Sequence, residues 1–176
     1  MEKRNKMMKI YIAGPDVFEK DSIEIGKRYV ELCEKYGFEG LYPLDNVIDF
    51  NQPKQKIAQD IYKANKNLID ECDIVLANIN SFRGKESDSG TIWECGYATA
   101  LGKKVYAYLN RDTTYLQQFK ENEILINENG FTDIEGKFIE DFNYSVNLMI
   151  ACSVEKIIIG DFEKALKNIS SLLTKN

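Results

Sequence analysis

The sequence contains no histidine among its 176 residues. This absence excludes Ser-His-Asp and Cys-His catalysis, zinc sites of the His-Glu-x-x-His type, and the side chain that most often carries protons near neutral pH. Any acid, base or nucleophilic chemistry in this chain must therefore rest on Asp, Glu, Tyr, Lys or Cys.

Long apolar stretches and paired cysteines are also absent. No uninterrupted apolar run approaches the ~18–20 residues of a membrane span, and the basic N-terminus MEKRNKMMKIYIAGP lacks the apolar core of a signal peptide. The four cysteines show no Cys-x-x-Cys spacing, as is typical of free thiols in a reducing cytoplasm. They are Cys33, Cys72, Cys95 and Cys152. We therefore expect a cytoplasmic protein with no membrane partner.

Positive charge is in deficit as well. The formal net charge is -5 and the pI is about 5.0, which argues against a nucleic-acid partner because phosphate binding needs clustered Lys and Arg. Small nucleosides carry no phosphate and remain possible ligands. The length suits one domain with its own hydrophobic core, so we expect residues 1–176 to form a single domain with a flexible segment at residues 1–7.

Short apolar runs alternate with segments whose apolar residues recur at helical spacing. The predicted strands are Met8–Ala13, Phe38–Tyr42, Asp73–Ile79, Lys104–Leu109 and Lys156–Ile159. The predicted helices are Asp21–Tyr36, Lys56–Cys72, Thr91–Leu101, Phe142–Cys152 and Asp161–Leu173. Residues 110–138 are rich in Asn, Glu and Gly and are expected to form loops and short elements. This alternation predicts an α/β fold, specifically a flavodoxin-like (Rossmann-like) three-layer sandwich with a five-stranded parallel sheet of order 2-1-3-4-5.

A sheet of this order has a defined place for a ligand. Doubly wound sheets bind ligands beyond the carboxyl ends of the first and third strands, where the winding direction reverses. In this chain those ends are the turn Gly14-Pro15-Asp16 and the segment from Asn80 to Glu94. We therefore expect a crevice between these two segments.

Two carboxylates lie in the second of these segments. Asp88 is in the loop, and Glu94 follows six residues later in the first turns of the next helix, so both can face the crevice. Gly90 and Gly96 allow close approach of a ligand. Breaking a glycosidic bond passes through an oxocarbenium-like state that a nearby carboxylate can trap covalently, while a second carboxyl group protonates the leaving base. A helix N-terminus helps to keep the attacking carboxylate ionised.

Each carboxylate also has a purely structural interpretation. Thr91-x-x-Glu94 matches a capping box, in which the glutamate only satisfies a helix N-terminal N–H group. Asp88 fits an N-cap or turn-forming aspartate equally well.

Longer segments of the chain resemble the nucleoside 2-deoxyribosyltransferases. The resemblance covers about Lys9 to Met149, and its strongest part is the acidic loop with the Glu-x-Gly-Tyr-Ala helix. The similar segments are KIYIAGPDVF, YPLDN, ANINSFRGKESDSGTIWECGYATALGKKV and NLM. The resemblance implies an enzyme that exchanges the base of a 2′-deoxynucleoside for a free nucleobase, with retention and with no metal or organic cofactor.

The resemblance also implies roles for individual residues. Glu94 matches the nucleophile that forms a covalent deoxyribosyl intermediate, and Asp88 matches an aspartate that contacts the substrate and assists transfer. Tyr11 matches a tyrosine that orients the nucleophile; alternatively it is a half-buried strand aromatic. Asn147 matches an asparagine that enters the site of a neighbouring subunit and binds the sugar 5′-hydroxyl, which implies a homo-oligomer; alternatively it is a surface amide.

One position departs from the family pattern. Asn65 stands where bacterial members carry an aspartate, and an amide cannot donate a carboxylic proton to the leaving base. Base protonation is then left to Asp88 or to water. Gly14, Asp16 and Phe18 are expected to line the base pocket, with the aromatic ring stacked on the base.

Three other functions remain open at this stage. The same glutamate can serve a hydrolase, an N-glycosidase of nucleosides or of nucleoside 5′-monophosphates; Ser87, Ser89, Arg83 and Lys85 would then bind the phosphate. A non-catalytic nucleotide-binding module is a second alternative, although neither GxxxxGK[ST] nor GxGxxG occurs. A phospho-acceptor domain is the third, but the strand-end aspartates form no acidic cluster around the third strand.

Overall fold

The computed structural model describes residues 7–174. The strands are β1 (Met8–Ala13), β2 (Phe38–Leu41), β3 (Ile74–Asn78), β4 (Lys104–Leu109), β5 (Ile124–Asn127), β6 (Gly130–Asp133) and β7 (Lys156–Ile159). The α-helices are α1 (Ser22–Lys35), α2 (Lys54–Glu71), α3 (Ser89–Ala100), α4 (Leu148–Ser153) and α5 (Phe162–Leu173). Within residues 7–174, no helix is long and apolar enough to cross a membrane. The flexible segment predicted for residues 1–7 lies, apart from Met7, outside the described residues.

The main sheet has five parallel strands in the order β2-β1-β3-β4-β7. Because β5 and β6 lie outside this sheet, β7 is its fifth strand, and the predicted flavodoxin-like order 2-1-3-4-5 is confirmed. The strands β1 and β3 are neighbours, with Tyr11 opposite Val75 and Ala13 opposite Ala77. The carboxyl ends of these two strands therefore form the crevice that the sheet order predicts.

Side chains of each strand alternate between two separate apolar cores. Ile10 and Ile12 pack in the core that includes residues of α1 and α5. Tyr11 and Ala13 pack in the opposite core, with residues of α2, α3 and α4. This follows from the period of two in an extended strand. Tyr11 is thereby placed on the same side of the sheet as α3, the helix that carries Glu94.

The start of α1 differs in detail from its sequence pattern. Asp21 is the N-cap residue, but its side chain accepts no capping hydrogen bond, and Glu24 instead pairs with Lys27 at 2.9 Å. Asp21 and Glu24 have the spacing of a capping box, but no capping box forms, although the helix begins where it was expected. Its end is marked by Gly37, which has a φ of 84° and so adopts the left-handed conformation that favours glycine.

In the second half of the chain one expectation needs correction and another gains detail. The helix predicted over Phe142–Cys152 begins only at Leu148. Asn143 has a positive φ of 61°, which breaks a helix, and the Asn147 side chain caps the shorter helix by accepting from Met149 N. Residues 110–138 contain the antiparallel hairpin β5–β6 as well as loops. The Asn129-Gly130 pair at its turn is a hairpin signal that the sequence interpretation overlooked.

Candidate active site

The predicted crevice contains a cavity of about 560 Å³. This volume lies within the range of small-molecule sites, which is roughly 300–1,000 Å³. One end is polar, where Asn65, Asp88 and Glu94 meet. The remaining wall is largely apolar and includes Val17, Phe18, Ile23, Leu44, Ile48, Phe50 and Ile61. A mostly apolar ligand of small-molecule size with one polar end therefore fits this cavity.

Glu94 is held by a tyrosine from the neighbouring strand. Tyr11 Oη donates to Glu94 Oε1 at 2.6 Å, and the Tyr11 side chain is completely buried. Because the Tyr11 side chain lies on the α3 side of the sheet, its hydroxyl reaches that helix. The sequence left two interpretations of Tyr11. Its observed position agrees with the one in which the tyrosine contacts the glutamate.

The capping role suggested for Glu94 is taken by Asp88 instead. Asp88 is the N-cap of α3, and its Oδ2 accepts from Thr91 N at 2.8 Å and from Thr91 Oγ1 at 2.9 Å. Asp88 also lines the cavity, so it combines the structural role with a position beside the ligand. Glu94 therefore has no capping role; it accepts the hydrogen bond from Tyr11 and lines the cavity.

The environment of Glu94 makes its carboxyl group easy to protonate. Burial raises its pKa from 4.5 to about 7, and the negative charge of Asp88 adds to this effect. The hydrogen bonds from Tyr11 and Asn65 act in the opposite direction, because they stabilise the carboxylate. The side chain is therefore poised between its two protonation states at neutral pH, as is common for functional carboxyl groups.

Asn65 lies between the polar end of the cavity and the loop that follows β2. Its Oδ1 accepts from Asn46 Nδ2 at 3.4 Å, which leaves its amide nitrogen for Glu94 or a ligand. A second cavity of about 320 Å³ adjoins the first and shares Asn65, Gly90 and Glu94 with it. Its remaining lining residues are Tyr62 and Trp93. Glu94 therefore lines both cavities.

The turn after β1 contributes to the cavity through two of its three predicted residues. Gly14 and Phe18 line the cavity. Asp16 lies beside Gly14, but its oxygens accept hydrogen bonds from Tyr29 Oη at 3.1 Å and from Asn78 Nδ2 at 2.8 Å. Its carboxylate is thus engaged within the protein rather than on the cavity wall.

The remaining predicted residues have partners in their own chain. Asn147 is the N-cap of α4, and its Nδ2 donates to Glu140 Oε1 at 2.6 Å. In the loop after β3, Lys85 Nζ pairs with Glu123 at 3.0 Å and Ser87 Oγ donates to the carbonyl of Ile79 at 2.8 Å. Lys85 and Ser87, two of the four side chains that a phosphate-binding role would use, thereby tie the loop to the rest of the domain.

Sequence interpretation missed most of the apolar wall. Ile48 and Phe50 lie in the polar, proline-containing segment Val47–Lys54, which the sequence marks as a loop and which is irregular up to the start of α2. Leu44 precedes it in the short 3-10 helix Pro43–Asp45. The available signal was the presence of the apolar residues Leu44, Ile48 and Phe50 in an otherwise polar segment. Among the residues that the structure describes, no group of three His, Cys, Asp or Glu side chains is placed to hold a metal ion.

Comparison with known proteins points to one family. A family model described as nucleoside 2-deoxyribosyltransferase matches residues 10–149. A 2-desoxiribosyltransferase from Leishmania mexicana is similar in structure, with a TM-score of 0.76, 27% identity, and coverage of 93% of this chain and 97% of that chain. A 2-deoxyribosyltransferase from Bacillus psychrosaccharolyticus shares the fold, with a TM-score of 0.57, 20% identity, and coverage of 92% and 90%.

A curated relative is found in Schizosaccharomyces pombe. This uncharacterized protein is 27% identical over 119 residues, which cover 66% of this chain and 56% of the relative. The chain therefore matches a little over half the length of that protein.

Proposed function

Since this chain belongs to the nucleoside 2-deoxyribosyltransferase family, we propose that it exchanges the nucleobase of a 2′-deoxynucleoside for a free base. One observation carries the proposal. A half-buried carboxyl group, Glu94, is held by a 2.6 Å hydrogen bond from Tyr11 at the polar end of a largely apolar cavity. A base occupies the apolar part in this proposal, and the sugar lies at Glu94 and Asp88.

The first half of the proposed reaction forms a bond between sugar and enzyme. The free oxygen of ionised Glu94 attacks C1′, the bond between C1′ and the base nitrogen breaks, and its electron pair leaves with the base. Asp88, or a water molecule at its carboxyl group, supplies the proton that neutralises the departing base. Tyr11 stays bound to the other oxygen of Glu94 and keeps the attacking one aimed at the cavity.

The second half reverses the first with a new base. A nitrogen of the incoming base attacks C1′, the bond to Glu94 breaks, and its electron pair returns to the Glu94 carboxylate. The attacking nitrogen gives its proton to Asp88 or to the water molecule at its carboxyl group, which restores the acid used in the first half. Two inversions at C1′ give overall retention. The electron pairs and protons balance within this cycle, so neither half needs a cofactor.

A second copy of the chain is part of this proposal. Asn147, which lines no part of the described cavity in its own chain, binds the sugar 5′-hydroxyl in the site of a neighbouring subunit. Size-exclusion chromatography with light scattering tests this part alone. A dimer or larger assembly supports it, and a monomer that transfers deoxyribose at full rate contradicts it.

Transfer is tested by incubating the protein with thymidine and adenine and separating the products by chromatography. Deoxyadenosine with thymine supports the proposal. Glu94→Ala is expected to lose at least about 10³-fold in rate, because the covalent route has no other nucleophile in reach. Glu24→Ala, a change of the same kind at a glutamate on α1, is the matched control and is expected to keep full activity. No turnover by folded wild-type protein with any base or deoxynucleoside favours a non-catalytic binding module.

Hydrolysis is a second candidate, and the second cavity favours it. The cleft lined by Tyr62 and Trp93 gives water a route to Glu94 that does not pass through the base pocket. Water would then resolve the same covalent intermediate. Free deoxyribose without a new nucleoside in the thymidine and adenine assay identifies this outcome, and a nucleoside 5′-monophosphate as substrate tests the phosphate-dependent form.

A further inference from the structure

Side chains of one acid and two amides connect the ends of three neighbouring strands. Asn78 Nδ2 donates to Asp16 Oδ2 at 2.8 Å, Asn80 Nδ2 donates to Asn78 Oδ1 at 2.7 Å, and Asn110 N donates to Asn80 Oδ1 at 2.9 Å. Asp16 follows β1, Asn78 ends β3, and Asn110 follows β4. The relay therefore ties the turn after β1, which lines the cavity, to the segments that follow β3 and β4.

The direction of the relay is determined by chemistry. A carboxylate only accepts hydrogen bonds, whereas an amide donates through nitrogen and accepts through oxygen. Asn78 is buried, so both of its polar atoms need partners. Packing adds a second constraint: a Cβ at Gly14 would lie 2.6 Å from Asp16 Oδ2 and 2.8 Å from Asn78 Cβ. Glycine is required there because the pair sits directly against the backbone.

Each end of the Asp16–Asn80 part of the relay is two residues from an aromatic ring. Phe18 and Phe82 stack with their centroids 5.3 Å apart and an interplanar angle of 20°. The Arg83 guanidinium lies 5.4 Å from the Phe18 centroid and 4.6 Å from that of Phe82. Phe18 lines the cavity yet is 58% exposed. Burial therefore holds the Phe18 ring of this aromatic wall (Phe18 and Phe82) weakly, and the position of that ring depends on its stacking with Phe82 and on the backbones of the two loops.

We propose that Asp16 and Asn78 are positioning residues that hold the aromatic wall against the base in the cavity. Neither residue touches the substrate; both act through Phe18 and Phe82 by fixing the loops that carry them. The inference rests on the proposed function, because it takes the base to bind along Phe18. In this proposal Asp16 and Asn78 increase the affinity for the planar base, and they do not affect the chemistry at Glu94.

The test reverses the polarity of the pair. Asn78→Asp sets a second carboxylate against Asp16, whereas the double variant Asp16→Asn with Asn78→Asp restores one donor and one acceptor. We expect Asn78→Asp to raise the KM for adenine at least about tenfold, with kcat within about threefold of wild type, because a hydrogen bond to a charged group is lost. The double variant is expected to return the KM to within about threefold of wild type. Asn168→Asp on α5 is the matched control and leaves both constants unchanged.

Hydrogen–deuterium exchange of the protein without ligand tests the positioning directly. Faster exchange at residues 14–18 and 80–83 in Asn78→Asp, reversed in the double variant, supports the inference even if wild-type protein transfers no deoxyribose. In that case the proposed function fails while the positioning role stands. If Asn78→Asp does not fold, Asn80→Ala breaks the next link and is expected to raise the KM in the same way.

Three results overturn the inference. The first is a KM within twofold of wild type for the folded Asn78→Asp or Asn80→Ala protein. The second is a loss of activity in these variants that is confined to kcat. The third is a double variant that folds but regains neither the wild-type KM nor the protection from exchange. Melting temperatures of all variants show which proteins are folded.

Discussion

Replacing Glu94 with glutamine should make the protein more stable while it abolishes activity. Burial raises the pKa of Glu94 from 4.5 to about 7. A carboxyl group whose pKa is higher in the folded state stabilises the fold fully below its unfolded pKa, and this advantage is lost as the pH rises through the folded pKa. Above about pH 7 the wild-type protein therefore carries a destabilising buried charge, which glutamine lacks.

The size of the effect follows from the same pKa values. At about 1.4 kcal/mol per pKa unit, the rise to about 7 corresponds to roughly 3 kcal/mol of stability lost between about pH 4.5 and pH 7. In a chain of this length, 1 kcal/mol moves the melting temperature by about 2–4 °C. Glu94→Gln should thus melt roughly 6–12 °C above wild type at pH 8 and close to wild type at pH 4.5. Tyr11 Oη can still donate to the amide oxygen, so the local geometry is kept.

The assay is thermal unfolding of both proteins from pH 4.5 to pH 9, followed by circular dichroism. The chain has no histidine, so no imidazole titrates in this range. Glu163→Gln is the control: the hydrogen bond from Lys35 lowers the pKa of Glu163 from 4.5, so its stabilising contribution is present throughout this range and is lost only at lower pH. Glu163→Gln should therefore melt below wild type by a nearly constant amount from pH 5 to pH 9. Parallel melting curves for wild type and Glu94→Gln across the whole range would refute the reasoning, since Glu94 would then not be desolvated.

Three further substitutions test the site. Tyr11→Phe removes a hydrogen bond that lowers the pKa of Glu94. The acidic limb of the pH profile of kcat should therefore move to higher pH, and activity at pH 7 should fall. An unmoved pH profile contradicts this role. Asn65→Asp adds a like charge in place of an amide and should move the same limb in the same direction, as a pH series of initial rates will show. Gly14→Ala should lower the melting temperature by several degrees, because its Cβ would lie 2.8 Å from Asn78 Cβ; an unchanged melting temperature would show that the turn can yield.

Much of the fold could be predicted because its determinants are local. The apolar run of β3 and the helical spacing of α2 appear in the sequence itself, and alternation of the two implies a parallel sheet. The hairpin β5–β6 was missed because it is short and one side of it is exposed: Ile126 is 78% exposed, so burial leaves no strong pattern. The helix start at Leu148 depended on a left-handed residue, Asn143, which composition does not reveal.

The features of the site also fall into two groups: those that follow from local sequence and those that depend on tertiary structure. Element order and helical phase are enough to predict that Asp88 and Glu94 lie at the reversal point of the sheet. The folded structure was needed to show that Asp88 caps the helix and that Asp16 accepts from Asn78. It also shows that Tyr11, 83 residues away in the chain, donates to Glu94. It also decided the raised pKa of Glu94. Desolvation and hydrogen bonding depend on which distant segments come together, and neither is encoded in the spacing of neighbouring residues.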